Sequence, residues 1–171
     1  LSALVVARDT HRRARREAGK PDVPLRVVVS DQAHSSIKNT LGITMMEALV
    51  VETVDGRLTG EALRAALDGR DDLDDVCAVV ATAGTTNAGI IDDIAGAGEV
   101  AREHGLWLHV DGAYGGAGML SHSLRPRYDG IERSQASTLR GETRVSMATP
   151  AWWRALRAGW RASQREARSK G

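Results

Sequence analysis

Apolar positions along the chain follow two spacings in turn. Leu1, Leu4 and Val5 fall on one side of a helical repeat that runs to about Gly19 and closes on the basic stretch HRRARRE. Gly19, Pro21 and Pro24 break it. LRVVVS (25–30) is a short, nearly continuous apolar run, the pattern of a buried strand. HSSIKNTLGI (34–43) returns to a helical pattern, with Gly42 near its end, and ALVVET (48–53) is the next strand. Asp55-Gly56 predicts a turn. Thr59 opens a helix through GEALRAALDG that Gly69 ends, and RDDLDD (70–75) reads as an acidic surface connection. VCAVVAT (76–82) is a strand and AGTTNAG (83–89) a loop. Asp92 or Asp93 caps a helix that reaches His104, Gly105 closes it, and LWLHVD (106–111) is a strand again.

Strands with little alternation, separated by helices, predict an α/β fold with a mainly parallel sheet covered on both faces. The texture changes after Arg133. SQASTLRGETRVSMATP has no assignable period, and AWWRALRAGWRASQREARSKG sets Trp152, Trp153, Leu156 and Trp160 at helical spacing among arginines. Two parts are therefore expected, residues 1–133 and a basic Trp/Arg-rich tail, 134–171. The start LSALVVARDT has no Met and no capping residue ahead of its helix pattern, which predicts the interior of a longer protein.

The 171 residues suffice for one domain with a core. A formal net charge of +1 points to neither nucleic acid nor a membrane surface. No apolar run approaches the roughly 20 residues that span a bilayer, and no signal peptide is visible. The single cysteine, Cys77, sits inside an apolar run and reads as core filler, so a cytoplasmic setting is expected. A basic amphipathic tail can also bind an acidic surface, which makes a non-catalytic interaction module the alternative to an enzyme.

In parallel α/β folds, ligands sit at the carboxyl ends of the strands. Three chemistry-bearing stretches fall there: Ser30 to His34, Thr82 to Asn87, and Asp111 within HVDGAYGG (109–116). An aspartate ending an apolar strand is expensive to bury unless a cation meets it. Gly112, Ala113, Gly115 and Gly116 suggest something lying close to the backbone. Three chemistries compete. His34, His109 and Asp111 could hold zinc, although no His-x-x-x-His or Cys-x-x-Cys pair supplies a usual ligand set. GAGEVA (96–101) matches a dinucleotide fingerprint, although IIDDI before it suits a buried strand badly. Pyridoxal 5'-phosphate needs an acidic partner for its ring nitrogen, a stacking group and a small residue under the ring. Asp111, His34 and Ala113 supply these.

SDQAHSS (30–36), VVATAGTTNAG (79–89) and LWLHVDGAYGG (106–116), in this order, resemble the group II pyridoxal-phosphate-dependent amino-acid decarboxylases. This family includes the aromatic-amino-acid, glutamate and cysteine-sulfinate decarboxylases. The resemblance runs from residue 1 to about Arg133. It implies part of the large domain of the aspartate-aminotransferase-like fold, an amino-acid substrate that loses its α-carboxylate, and a homodimer. It also implies roles: His34 stacks on the ring, Thr86 is a cofactor-site threonine, Asp111 partners the ring nitrogen, and Ala113 lies under the ring. LSALVVAR matches the helix that follows a glycine-serine phosphate loop in the family.

The pattern departs at one place. In the family, DGIER is followed about ten residues later by a His-Lys pair whose lysine forms the Schiff base. Here DGIER stands at 129–133, no lysine stands near Thr143, and the chain's lysines are Lys20, Lys38 and Lys170. A change of reading frame just after Arg133 and a fragment inactive by itself are the expectations that follow.

Overall fold

The computed structural model describes residues 1–68, 70–71, 73–139 and 142–145, with backbone alone for 136–139 and 142–145. Its elements are α1 (Ser2–Glu17), β1 (Leu25–Ser30), α2 (Ser35–Thr44), β2 (Met46–Val51), α3 (Gly60–Leu67), β3 (Val76–Thr82), α4 (Ile94–Glu103) and β4 (Trp107–Gly112). Three short 3-10 turns follow at Gly116–Leu120, Arg125–Tyr128 and Ile131–Arg133, then β5 (Ala136–Leu139) and β6 (Glu142–Val145). The six described strands make one sheet in the order β2-β1-β3-β4-β5-β6. All neighbours are parallel except β5 and β6, which run antiparallel.

The central strands β1, β3 and β4 are largely buried on both faces, as their mainly apolar sequences require, while the edge strand β2 is exposed at Glu47, Ala48 and Val50. β3 is buried at every position. On one face, Val79, Ala81, Leu108 and Val110 pack with Leu63 and Leu67 of α3 and Ile94, Ala97 and Val100 of α4. On the other, Val27, Val29, Ala78, Val80 and Trp107 pack with Leu4 and Ala7 of α1 and Ile37 and Leu41 of α2. A buried Leu or Ile side chain contributes about 1.5–3 kcal/mol relative to exposure, so these layers fix the strand ends that carry the chemistry.

Local signals explain the boundaries. The Thr59 side chain accepts from Ala62 N–H at 3.1 Å and caps α3. The Asp93 carboxylate accepts from Gly96 N–H at 3.0 Å and caps α4, which leaves Asp92 for a different task. β2 starts two residues earlier than the apolar pattern predicts, because α2 ends at Met45 in a left-handed conformation, φ 52°, and the chain enters the strand at once. The stretch after Arg133, where no period could be assigned, continues the sheet as β5 and β6. The Trp152, Trp153, Leu156 and Trp160 pattern and Lys170 lie outside the described residues.

GAGEVA lies within and just after the first turn of α4, and the residues before it form no strand; Ile91 makes only an isolated bridge to Ala83. The dinucleotide expectation fails for that reason. The glycines have another use. A Cβ on Gly60 would sit 2.7 Å from Gly96 Cα, so α3 and α4 cross backbone against backbone.

Candidate functional site

The carboxyl ends of β1, β3 and β4 are adjacent in the sheet and open into one crevice of about 450 Å³. That is within the usual range for small-molecule sites. His34, Thr86, Asp111 and Ala113 all line it. Gln32, Thr40, Thr82, Thr85, His109 and Tyr114 line it as well, together with Leu1. The crevice lies on the α1/α2 face. In β4, His109 and Asp111 are two apart and so point the same way.

Asp111 is half-buried at the crevice wall, which corrects the expectation of a buried carboxylate. Its Oδ1 accepts from Ala113 N–H at 3.2 Å, which fixes the turn after β4. Its backbone carbonyl accepts from Ala83 N–H at 2.7 Å, and in the sheet register it stands beside Thr82. Among the described residues no donor partners its second oxygen, so a cation entering the crevice would meet it without displacing one of them.

His34 is the N-cap of α2. Its Nδ1 accepts from Ser36 N–H at 3.2 Å and lies 2.9 Å from Ser36 Oγ. An acceptor Nδ1 puts the proton of the neutral ring on Nε2. Histidine is not among the usual caps, so sequence reasoning gave His34 a site role and missed its structural one.

The loop after β3 is held by its own backbone. Thr85 N–H donates to the Ile90 carbonyl at 2.8 Å, Thr85 Oγ1 accepts from Ile90 N–H at 3.1 Å, and Gly89 N–H donates to the Thr85 carbonyl at 2.7 Å. Thr85 is buried by these contacts and Thr86 is exposed. Gly84 has φ +105°, and a Cβ on it would meet Gly115 Cα at 2.7 Å. The lack of a side chain at Gly84 and Gly115 therefore serves the close approach of this loop to the chain after β4. That corrects the reading of every small residue in HVDGAYGG as room for a ligand. Ala113 does face the crevice.

The Asp92 carboxyl was not foreseen. It is 1% exposed and lies behind the crevice wall. Its oxygens accept from Thr82 N–H at 2.6 Å and Leu58 N–H at 2.9 Å. Burial pushes its pKa up to about 6, with those two N–H groups acting in the opposite direction. Its N–H partners lie 10 and 34 residues away along the chain, which no local motif reveals.

Cys77 is buried, and desolvation pushes its thiol up to about 12, so it stays protonated and packs as an apolar group. His34, His109 and Asp111 border one crevice, yet among the described residues no group of three or more His, Cys, Asp and Glu side chains could hold a metal ion. Lys20 pairs with Asp74 at 2.5 Å, away from the crevice, and Lys38 is exposed on α2 and does not line it. Among the described residues no lysine reaches the site. Thr143, near the place where the family carries its lysine, stands in β6 opposite Thr138. No described helix is long and apolar enough to cross a membrane.

Residues 1–149 match the family model described as the pyridoxal-dependent decarboxylase conserved domain. The chain is 36% identical over 122 residues to L-2,4-diaminobutyrate decarboxylase of Acinetobacter baumannii, covering 67% of this chain and 24% of that protein. It is 34% identical over 146 residues to glutamate decarboxylase of Drosophila melanogaster, covering 81% of this chain and 29% of that one. Among solved structures, Oryza sativa TDC with PLP and tryptamine superposes with a TM-score of 0.70 at 28% identity, over 80% of this chain and 30% of that chain. The chain thus spans about a quarter of the length of the curated relatives it matches.

Proposed function

The chain belongs to the pyridoxal-dependent decarboxylase family, and on that footing we propose that its crevice is the cofactor half-site of an amino-acid carboxy-lyase. The observation that carries this reading is the convergence of His34, Thr86, Asp111 and Ala113, from three separate stretches of the sequence, on one crevice.

The donor set fits pyridoxal phosphate. A carboxylate with a free oxygen suits a protonated pyridine nitrogen, and a nearby opposite charge raises the pKa of such a cation by roughly 1–3 units. The His34 imidazole, oriented through Ser36, offers a flat face on one side of a ring, and Ala113 leaves space on the other. The Thr86 hydroxyl supplies a hydrogen bond at the rim. Leu1 lines the crevice too, which places the start of α1 beside it. When bound, the cofactor supplies an electron sink for the bond to the departing carboxylate. This chain's residues bind the ring, keep a proton at its nitrogen and hold its plane.

The substrate is an L-amino acid, the active assembly a homodimer, and the setting the cytoplasm, where a buried Cys77 thiol stays reduced. The absence of a lysine at the crevice among the described residues supports a chain that holds the cofactor without a covalent link and does not turn over by itself. Residues 134–171 are read as a basic tail whose first residues join the sheet as β5 and β6. Absorbance titration of the 171-residue chain with pyridoxal phosphate should show weak, saturable binding. Borohydride treatment followed by peptide mapping should leave every lysine unlabelled. No binding at all refutes the half-site, and stoichiometric labelling of one lysine, with Lys38 the first place to look, refutes the non-covalent reading.

A further inference from the structure

We propose that Asp92 is a positioning residue that sets the crevice wall from behind, by tying the end of β3 to the segment that leads into α3. The cofactor reading is assumed only for what that wall serves.

The contacts form a closed knot. Asp92 Oδ2 accepts from Thr82 N–H at 2.6 Å, while Asp92 N–H donates to the Thr82 carbonyl at 2.9 Å. Asp92 Oδ1 accepts from Leu58 N–H at 2.9 Å. The residue after Thr82, Ala83, donates to the Asp111 carbonyl at 2.7 Å and bridges Ile91. Asp92 is therefore two hydrogen-bonded steps from the backbone of Asp111, and Thr82 is the residue between β3 and the loop that carries Thr85 and Thr86. A carboxylate can accept from both N–H groups at once, whereas a protonated acid or an amide presents one acceptor and one donor. Protonation or amidation then sets a donor against one backbone N–H and loosens one arm of the knot.

Burial in an apolar surrounding pushes the Asp92 carboxyl up to about 6. Three charged groups surround it. Arg57, on the connection from β2 to α3, favours the carboxylate, and Asp31, just after β1, disfavours it. Asp93 is adjacent, with its own oxygens engaged by Gly60 N–H at 3.1 Å and Gly96 N–H at 3.0 Å. None of the largest contributions to the shift comes from a titratable side chain of β3 or α4.

The experiment is an amide NMR titration of the full chain without cofactor, from about pH 7.5 to about pH 5. The Leu58 and Thr82 amides should move with a midpoint near 6, and the Thr85 and Thr86 amides should move with them. In Asp92→Asn the shared movement should vanish, and the Thr85 and Thr86 positions at neutral pH should resemble those of the acid wild type. His34 and His109 remain in that variant, so whatever movement they cause persists and is separable. Arg57→Gln should raise the midpoint, and it serves where Asp92→Asn does not fold. Thr85 and Thr86 amides that stay still while Leu58 and Thr82 titrate would reduce Asp92 to a local tie. Shared movement that survives in Asp92→Asn, or a midpoint unmoved by Arg57→Gln, would also overturn the proposal. No cofactor is present, so failure here is distinct from failure of the half-site.

Discussion

Single side chains in this molecule carry two duties, and their variants separate only when two quantities are measured. His34 caps α2 through Nδ1 and presents its ring to the crevice. His34→Ala should lower stability by about 0.5–2 kcal/mol, the usual cost of a lost cap, and weaken pyridoxal-phosphate binding as well. Urea unfolding and absorbance titration read the two effects. Loss of stability with unchanged cofactor affinity would leave His34 as a cap alone. Asp111→Asn keeps an acceptor for Ala113 N–H but removes the charge that would hold a ring proton. Affinity should fall by about tenfold or more, since one pKa unit corresponds to about 1.4 kcal/mol. Asp92 adds a pH dependence with a definite sign. Its pKa is raised from 3.8 to about 6, so the folded chain holds this proton more tightly than the unfolded one. The stabilisation is complete below about pH 4 and is lost as pH rises through about 6. Wild type should therefore gain stability relative to Asp92→Ala on acidification from neutral to about pH 5, by on the order of 1–2 kcal/mol.

At the scale of elements, the glycines divide by what surrounds them. Gly42 lies in α2 with nothing within 4 Å of an added Cβ, so Gly42→Ala should stabilise by roughly 0.5–1 kcal/mol through helix propensity. Gly60 has Gly96 Cα 2.7 Å from the same imagined atom, so Gly60→Ala should force α3 and α4 apart and destabilise by about 1–3 kcal/mol. Equal effects for the two variants in urea unfolding would contradict the backbone crossing. The elements also show what the sequence could convey. β3 was legible because all seven of its residues are buried and the first six are apolar. Thr59 and Asp93 were legible as caps because their partners lie three residues on. β2 was misplaced by two residues because Met45 makes a left-handed turn that glycine or asparagine would ordinarily announce. β5 and β6 were not legible, since their pairing with β4 and with each other is tertiary and the stretch has no period of its own. At the site, motifs carried His34, Thr86, Asp111 and Ala113 to one crevice. The roles of Asp92 and Gly115 depend on partners distant in sequence, Leu58 and Thr82 for one and Ala83 and Gly84 for the other, and no motif encodes them.

The described residues form a mainly parallel sheet with a crevice at the carboxyl ends of three adjacent strands, and the chain spans about a quarter of the first curated relatives it matches. The crevice is predicted to take pyridoxal phosphate through His34, Thr86, Asp111 and Ala113 and without a lysine. Amide NMR of the isotope-labelled chain, recorded as the cofactor is added, tests this most directly. Saturable shifts are predicted at Ser2 and Ala3 at the start of α1, at Thr85 and Thr86, at Ala113, and at Ser36 beside the His34 ring. They should be strongly reduced in Asp111→Asn at the same cofactor concentration. Shifts confined to the neighbourhoods of Lys20 or Lys38, or a pattern unchanged by Asp111→Asn, would contradict it.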